Sequence, residues 1–309
     1  MSSPPSGGTP CLAASADLRS RDAGLREPLR EAPGLVRLAF AASGDGGPTR
    51  LVERYASHPF AVQRPLYGDP ALPGQPQVYL LALGAGVLAG DALRVEVDVG
   101  TGASARICAV GATRLHPTPG GRSRQDIRLR LRAGAFLEWL PDPLIPFAGS
   151  RFTQSVEVRL DPGAQWIGSD VLVAGREACG ERFAFDRLEQ QLAVFEHEGA
   201  APAVAEAFIL DPARRAPDGP AVMRGFPVLG TLRAATRQVP ARLLVEALRA
   251  AVAVVPGVQA GATALPTGAG AMVRVLGPAI RPVDDALRAA WDAARRLCVG
   301  APAPESRRY

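Results

Sequence analysis

Residues 92–106 read ALRVEVDVGTGASAR. Leu93, Val95, Val97 and Val99 alternate with Arg94, Glu96 and Asp98, the period of two that puts apolar side chains on one face of a strand and charged ones on the other. A Gly102-Ala103 corner then leads into a second apolar run, Ala105 to Val110. The same order recurs twice. Ile127 to Leu131 leads through Gly134-Ala135 to Phe136 to Leu140, and Val156 to Leu160 leads through Gly163-Ala164 to Trp166 to Gly168. A spacing of about thirty residues marks a repeat, with a glycine free to adopt positive φ at each corner and neighbouring units burying one face against each other. The pattern predicts a mainly β fold, a β-sandwich or β-helix-like stack of hairpins. An ordinary antiparallel sandwich with evenly spaced hairpins explains it as well.

Further strands are expected at Leu35–Phe40, Arg50–Tyr55, Ala61–Leu66, Gln77–Leu83, Arg187–Glu198, Ala203–Leu210, Val228–Ala235 and Ala271–Val275. Two helices fall in the C-terminal part. Ala241 to Val255 places Leu244, Leu248, Ala251 and Val255 at helical spacing after Pro240 and stops at Pro256-Gly257. The second is expected to begin after Pro282 with Asp284 and Asp285 in its first turn, to carry Leu287, Trp291, Ala294 and Cys298 on one face, and to close at Gly300. Residues 1–33, rich in Ser, Pro and Gly without an apolar period, read as a flexible extension. Residues 34–300 read as one β-rich domain and 301–309 as a tail.

Composition narrows function by exclusion. Hydrophobic residues make up 47% of the 309, enough for a large core, while 33 glycines and 29 prolines favour short elements and turns. The formal charge is +5, carried entirely by arginine, since the chain contains no lysine. That rules out a Walker A loop and any Schiff-base lysine. Nucleic acid is not an expected partner, because the densest basic stretch, Arg122 to Arg132, alternates as a strand does. The long uncharged run Ala71 to Gly90 is broken by Pro73, Pro76 and four glycines, so no membrane helix is expected. Cys11, Cys108, Cys179 and Cys298 lie far apart with no C-x-x-C pair, which fits a reduced, cytoplasmic setting rather than a zinc or disulfide framework. Gly84, Gly86 and Gly90 suggest a dinucleotide loop, but a strand follows them where that loop needs a helix; a tight turn or backbone crossing is expected. The three histidines, His58, His116 and His197, form no catalytic or ligand pattern, and Glu196-His197-Glu198 reads as a strand end. No enzyme is expected.

The carboxylates are more informative. Asp91 follows Gly90, Glu138 lies in the apolar run beside Trp139, and Asp142 sits between Pro141 and Pro143. A carboxylate in an apolar strand is costly unless paired, metal-bound or solvated. Since Glu138 shares a face with Phe136 and opposes Leu137 and Trp139, exposure of that face to water is the simplest account.

Taken in order, several motifs resemble the urease accessory protein UreD (UreH) family: Gln77-Val78-Tyr79-Leu80-Leu81, Gly84 to Asp91, Gly111-Ala112-Thr113-Arg114, Leu137-Glu138-Trp139-Leu140-Pro141 through Phe147, Ala164 to Asp170, and Gly175-Arg176-Glu177 with Gly180-Glu181-Arg182-Phe183. The resemblance is good over roughly residues 60–195. It implies a largely β protein with two helices that binds UreF, recruits the GTPase UreG through UreF, contacts apo-urease and can form a dimer of such complexes. It also implies a nickel metallochaperone scaffold in urease maturation, with an internal water-filled passage for transient Ni2+ and no tightly bound cofactor. Asp91, Glu138, Asp142 and Glu177 are the candidate weak metal ligands of that passage, since oxygen donors hold such ions loosely enough to release them. The competing reading, a β-repeat module for carbohydrate or protein unrelated to urease, expects an exposed aromatic platform of Tyr67, Tyr79 and Trp166.

Overall fold

The computed structural model describes residues 34–196, 199 and 201–305. The N-terminal extension, Cys11, His197, Glu198 and the last four residues lie outside them. The strands are β1 (Gly34–Ala41), β2 (Arg50–Ala56), β3 (Phe60–Val62), β4 (Gln77–Ala82), β5 (Ala92–Val99), β6 (Ser104–Val110), β7 (Thr113–Leu115), β8 (Ser123–Leu131), β9 (Phe136–Leu140), β10 (Leu144–Pro146), β11 (Arg151–Leu160), β12 (Gln165–Val173), β13 (Arg187–Phe195), β14 (Val204–Leu210), β15 (Val228–Ala235), β16 (Gln259–Ala264) and β17 (Gly270–Gly277). The helices are α1 (Ala241–Ala253) and α2 (Ile280–Val299). No helix among the described residues is long and apolar enough to cross a membrane.

The repeat stacks as expected, but its unit is not a hairpin whose two arms bond each other. Strands entering a glycine corner belong to one sheet, ordered β14-β13-β11-β8-β5-β1-β2, and strands leaving it to a second, whose path runs β16-β17-β15-β12-β9-β6-β4-β3. β5, β8 and β11 pair in parallel in the first sheet, and β6, β9 and β12 in the second. Each corner is a four-residue turn closed by Ala103 N–H to Gly100 O (2.9 Å), Ala135 to Arg132 (2.9 Å) and Ala164 to Asp161 (3.0 Å). Gly102, Gly134 and Gly163 hold φ of +66°, +66° and +77°, as the third position of such a turn requires. The corners also bond one another, Gly102 N–H to Ala133 O and Gly134 N–H to Pro162 O. The result is a short β-solenoid capped by antiparallel strands.

The inward-facing Val95, Val97, Leu129 and Val158 of the first sheet meet Ala105, Ile107 and Leu137 of the second in one core. The opposite face of the second sheet is covered by Leu244, Leu248 and Val252 of α1 and by Val283, Leu287 and Trp291 of α2. Three layers follow: sheet, sheet, helices. α2 starts three residues earlier than the sequence suggests, because Pro282 lies inside its first turn, where a missing N–H costs nothing; Asp284 and Asp285 consequently fall beyond that turn. The expected strand Ala61–Leu66 shrinks to Phe60–Val62, with only a single bridge at Leu66. Gly86 is a backbone crossing: a Cβ there would lie 2.3 Å from the Arg114 carbonyl oxygen.

Candidate functional site

Between the two sheets the apolar core gives way to a cavity of about 120 Å³, room for several waters. Its floor comes from the first sheet. Strand register aligns Leu93, Gln125, Gln154, Gln190 and Phe208 in one row across five strands. The three glutamines occupy the phase filled elsewhere in their strands by Ile127, Val156 and Leu192, so they point inward. They form a ladder, Gln154 Nε2 donating to Gln125 Oε1 (2.8 Å) and Gln190 Nε2 to Gln154 Oε1 (2.9 Å). Each rung satisfies its neighbour, which is how three amides can sit in an inter-sheet space.

The roof comes from the second sheet, where Ile107, Trp139, Gly168 and Arg233 align in one row. Gly168 makes room for the Trp166 ring; a Cβ there would lie 2.0 Å from a ring carbon. Trp166 is 2% exposed, and its indole N–H is buried without a hydrogen-bond partner. Asp142 lines the cavity beside Pro141, Gly111 and Thr113.

Four charged side chains also line the cavity: Asp170 of β12, Glu206 of β14, Arg233 of β15 and Arg274 of β17. Arg233 grips both oxygens of Glu206, Nε to Oε1 at 2.8 Å and Nη2 to Oε2 at 2.9 Å, and donates through Nη1 to Asp170. Arg274 adds a 3.2 Å contact to Glu206. Burial alone would lower the Arg233 pKa, but the charges of Asp170 and Glu206 hold it above the usual arginine value. Burial would raise that of Glu206, yet the Arg233 guanidinium keeps it below the ordinary carboxylate value.

A second buried polar group lies on the other face of the second sheet, under α2. Gln77, Arg106 and Glu138 align there across β4, β6 and β9. Asp69 accepts from Arg106 Nη1 (3.1 Å) and from Arg295 Nη2 (2.8 Å), Glu138 lies 3.5 Å from Arg295 Nε, and the Trp291 indole donates to Glu138. Two arginines balance two carboxylates, none more than 3% exposed. Desolvation pushes the Glu138 pKa up against the opposing charges of Arg295 and Arg106. Desolvation would also raise that of Asp69, but the Arg295 hydrogen bond holds it down. The Cys298 thiol is pushed up to about 12 by burial and by the charge of Glu138.

The four carboxylates singled out in the sequence are not brought together. Asp142 lines the cavity, whereas Glu138, buried rather than facing water, belongs to the ion network under α2. Asp91 accepts the Leu88 N–H at 2.8 Å and ties its own turn. Glu177 sits in a one-turn 3-10 helix, partly exposed and 3.3 Å from Arg182. Among the described residues no group of three or more His, Cys, Asp or Glu is placed to hold a metal ion. Asp69, Arg295 and the glutamine ladder escaped the sequence reading; only the ladder left a signal, polar residues on the apolar phase of three strands. The aromatic platform is also corrected: Trp166 is buried in the sandwich, so it cannot join Tyr67 and Tyr79 on a surface.

Residues 32–309 match the family model described as UreD urease accessory protein. The chain is 40% identical to Urease accessory protein UreD 2 of Streptomyces griseus, over 89% of this chain and 93% of that protein. It is 37% identical to Urease accessory protein UreD of Haloarcula marismortui, over 89% and 90% of the two chains, and 34% identical to Urease accessory protein UreD 2 of Brucella suis, over 84% and 86%. A solenoid sandwich backed by two helices, matched along nearly its whole length, thus belongs to the UreD family of urease accessory proteins.

Proposed function

We propose that the protein is a non-catalytic scaffold in the cytoplasm that conveys nickel toward apo-urease while docked to UreF and, through UreF, to UreG. Family membership supports the role in urease maturation; the observation that supports conveyance is the inter-sheet cavity with its ladder of glutamine amides and its carboxylates. Amide and carboxylate oxygens bind a borderline divalent ion weakly and exchange it readily, as a passage requires and a storage site does not. Asp142, Asp170 and Glu206 are the proposed carboxylates of the passage. Asp91, Glu138 and Glu177 lie off the cavity and serve the fold around it.

Co-expression with UreF and UreG followed by affinity purification tests the docking part: one stable complex is expected, and failure to recover it in any nucleotide state would exclude that part. Asp142→Ala is expected to lower the nickel content and activity of urease matured by the complex, with the complex itself intact. Full activation by that variant would remove Asp142 from the passage.

A further inference from the structure

The ion network at the β14–β15–β17 side of the cavity does more than satisfy its own charges. Glu206 belongs to the first sheet, and Asp170, Arg233 and Arg274 to the second, so the network spans the gap between the layers. Arg233 shares a cross-strand row with Gly168 and Trp139 inside the cavity. Its side chain is 10% exposed, while that of Arg274 is 52% exposed. With Asp170 at 27% and Glu206 at 17%, the Arg233 guanidinium is the least exposed member of the network, and it occupies both carboxylates that an entering or leaving cation would use. The indole N–H of Trp166, buried in the same cavity, has no hydrogen-bond partner.

We propose that Arg233 is a charge gate of the cavity. Held by Asp170 and Glu206, it keeps both carboxylates from cations at this side; when the carboxylates exchange it for a divalent ion, the guanidinium is released. A monovalent ion offers the two carboxylates no more charge than the arginine it would replace, so the exchange favours divalent ions. This inference rests on the cavity being an ion passage, and its test separates the two ideas.

Trp139 and Trp166 line the cavity while Trp291 lies across the second sheet, so quenching of tryptophan fluorescence in the purified chain reports access. The quenchers are Ni2+ and, as a neutral control, acrylamide; Trp166→Phe assigns the signal. Arg233→Met is expected to raise the Ni2+ quenching slope on the order of tenfold, the scale on which local charge alters counter-ion concentration, with a much smaller change for acrylamide. Should that variant lose its far-ultraviolet circular dichroism, Glu206→Gln, which removes one of the two exchanging carboxylates and leaves the arginine's charge less cancelled, is read in its place and is expected to lower the nickel slope with little change for acrylamide. An unchanged nickel slope, or equal changes for nickel and acrylamide, would overturn the gate. A nickel-selective change in the expected direction combined with urease activation that ignores Arg233→Met, Glu206→Gln and Asp142→Ala alike would leave the gate standing and overturn the passage.

Discussion

Replacing Arg295 by methionine is the sharpest test of how the second sheet and α2 are joined. The side chain is 0% exposed and contacts both Asp69 and Glu138. Methionine fills much of the volume but removes one of two positive charges facing two carboxylates. Asp69 keeps Arg106 and Glu138 keeps the Trp291 indole, so neither loses every partner, yet the buried cluster acquires a net negative charge. Removing one partner of a buried pair costs about 3–5 kcal/mol. With a urea dependence of about 3 kcal/mol per molar for a chain of this size, the unfolding midpoint should fall by about 1–2 M. The cheapest relief is protonation of Glu138, whose pKa already lies high, so the deficit should shrink as pH is lowered. Arg295→Met combined with Glu138→Gln restores one positive charge against one negative and should recover most of the loss. A single variant within about 1 kcal/mol of the parent, or a double variant no better than the single, would refute the charge-balance reasoning.

Three further outcomes are expected. Gly168→Ala forces the Trp166 ring off the strand and should cost about 1–3 kcal/mol, read by urea unfolding together with a changed near-ultraviolet dichroism; an unaltered spectrum would show that the ring does not cover Gly168. Glu206 has a depressed pKa in the fold, so its contribution is present above its ordinary value of 4.5 and lost as pH falls below it toward the folded value. The stability difference between the parent and Glu206→Gln should accordingly be largest near neutrality and vanish in acid, and a difference independent of pH would count against the pairing. Cys298, with a pKa near 12, should resist alkylation at pH 8 while the exposed Cys179 reacts; mass mapping that finds Cys298 modified in folded protein would contradict its burial.

The layered β architecture was legible because period two survives in any half-buried strand and the glycine corners are local. Pairing direction was not, since a corner joining two sheets and a hairpin joining neighbours use the same turn residues; what distinguishes them is a partner strand about thirty residues away. The face-sharing of Phe136 and Glu138 was read correctly, but not what that face meets. In a sheet covered on both sides, neither phase of a central strand faces water, and the cover over Glu138 comes from α2, 153 residues later in the case of Trp291. Asp142 could be singled out by its setting between prolines, whereas Asp170 and Glu206 became meaningful only when the second sheet brought Arg233 between them. Charged residues on the outer phase of β5 and β8 look the same in sequence whether they pair or only face solvent.

The parallel order β1-β5-β8-β11-β13 follows the order in which a ribosome would make those strands, so each coil can settle on one already completed as the chain emerges. The cluster under α2 inverts that schedule. Asp69 is synthesised 226 residues ahead of Arg295, which leaves the nascent sandwich with acidic groups on an uncovered apolar face until the final helix arrives. An intermediate in that state exposes apolar surface prone to association, and α2 is the clasp that closes it.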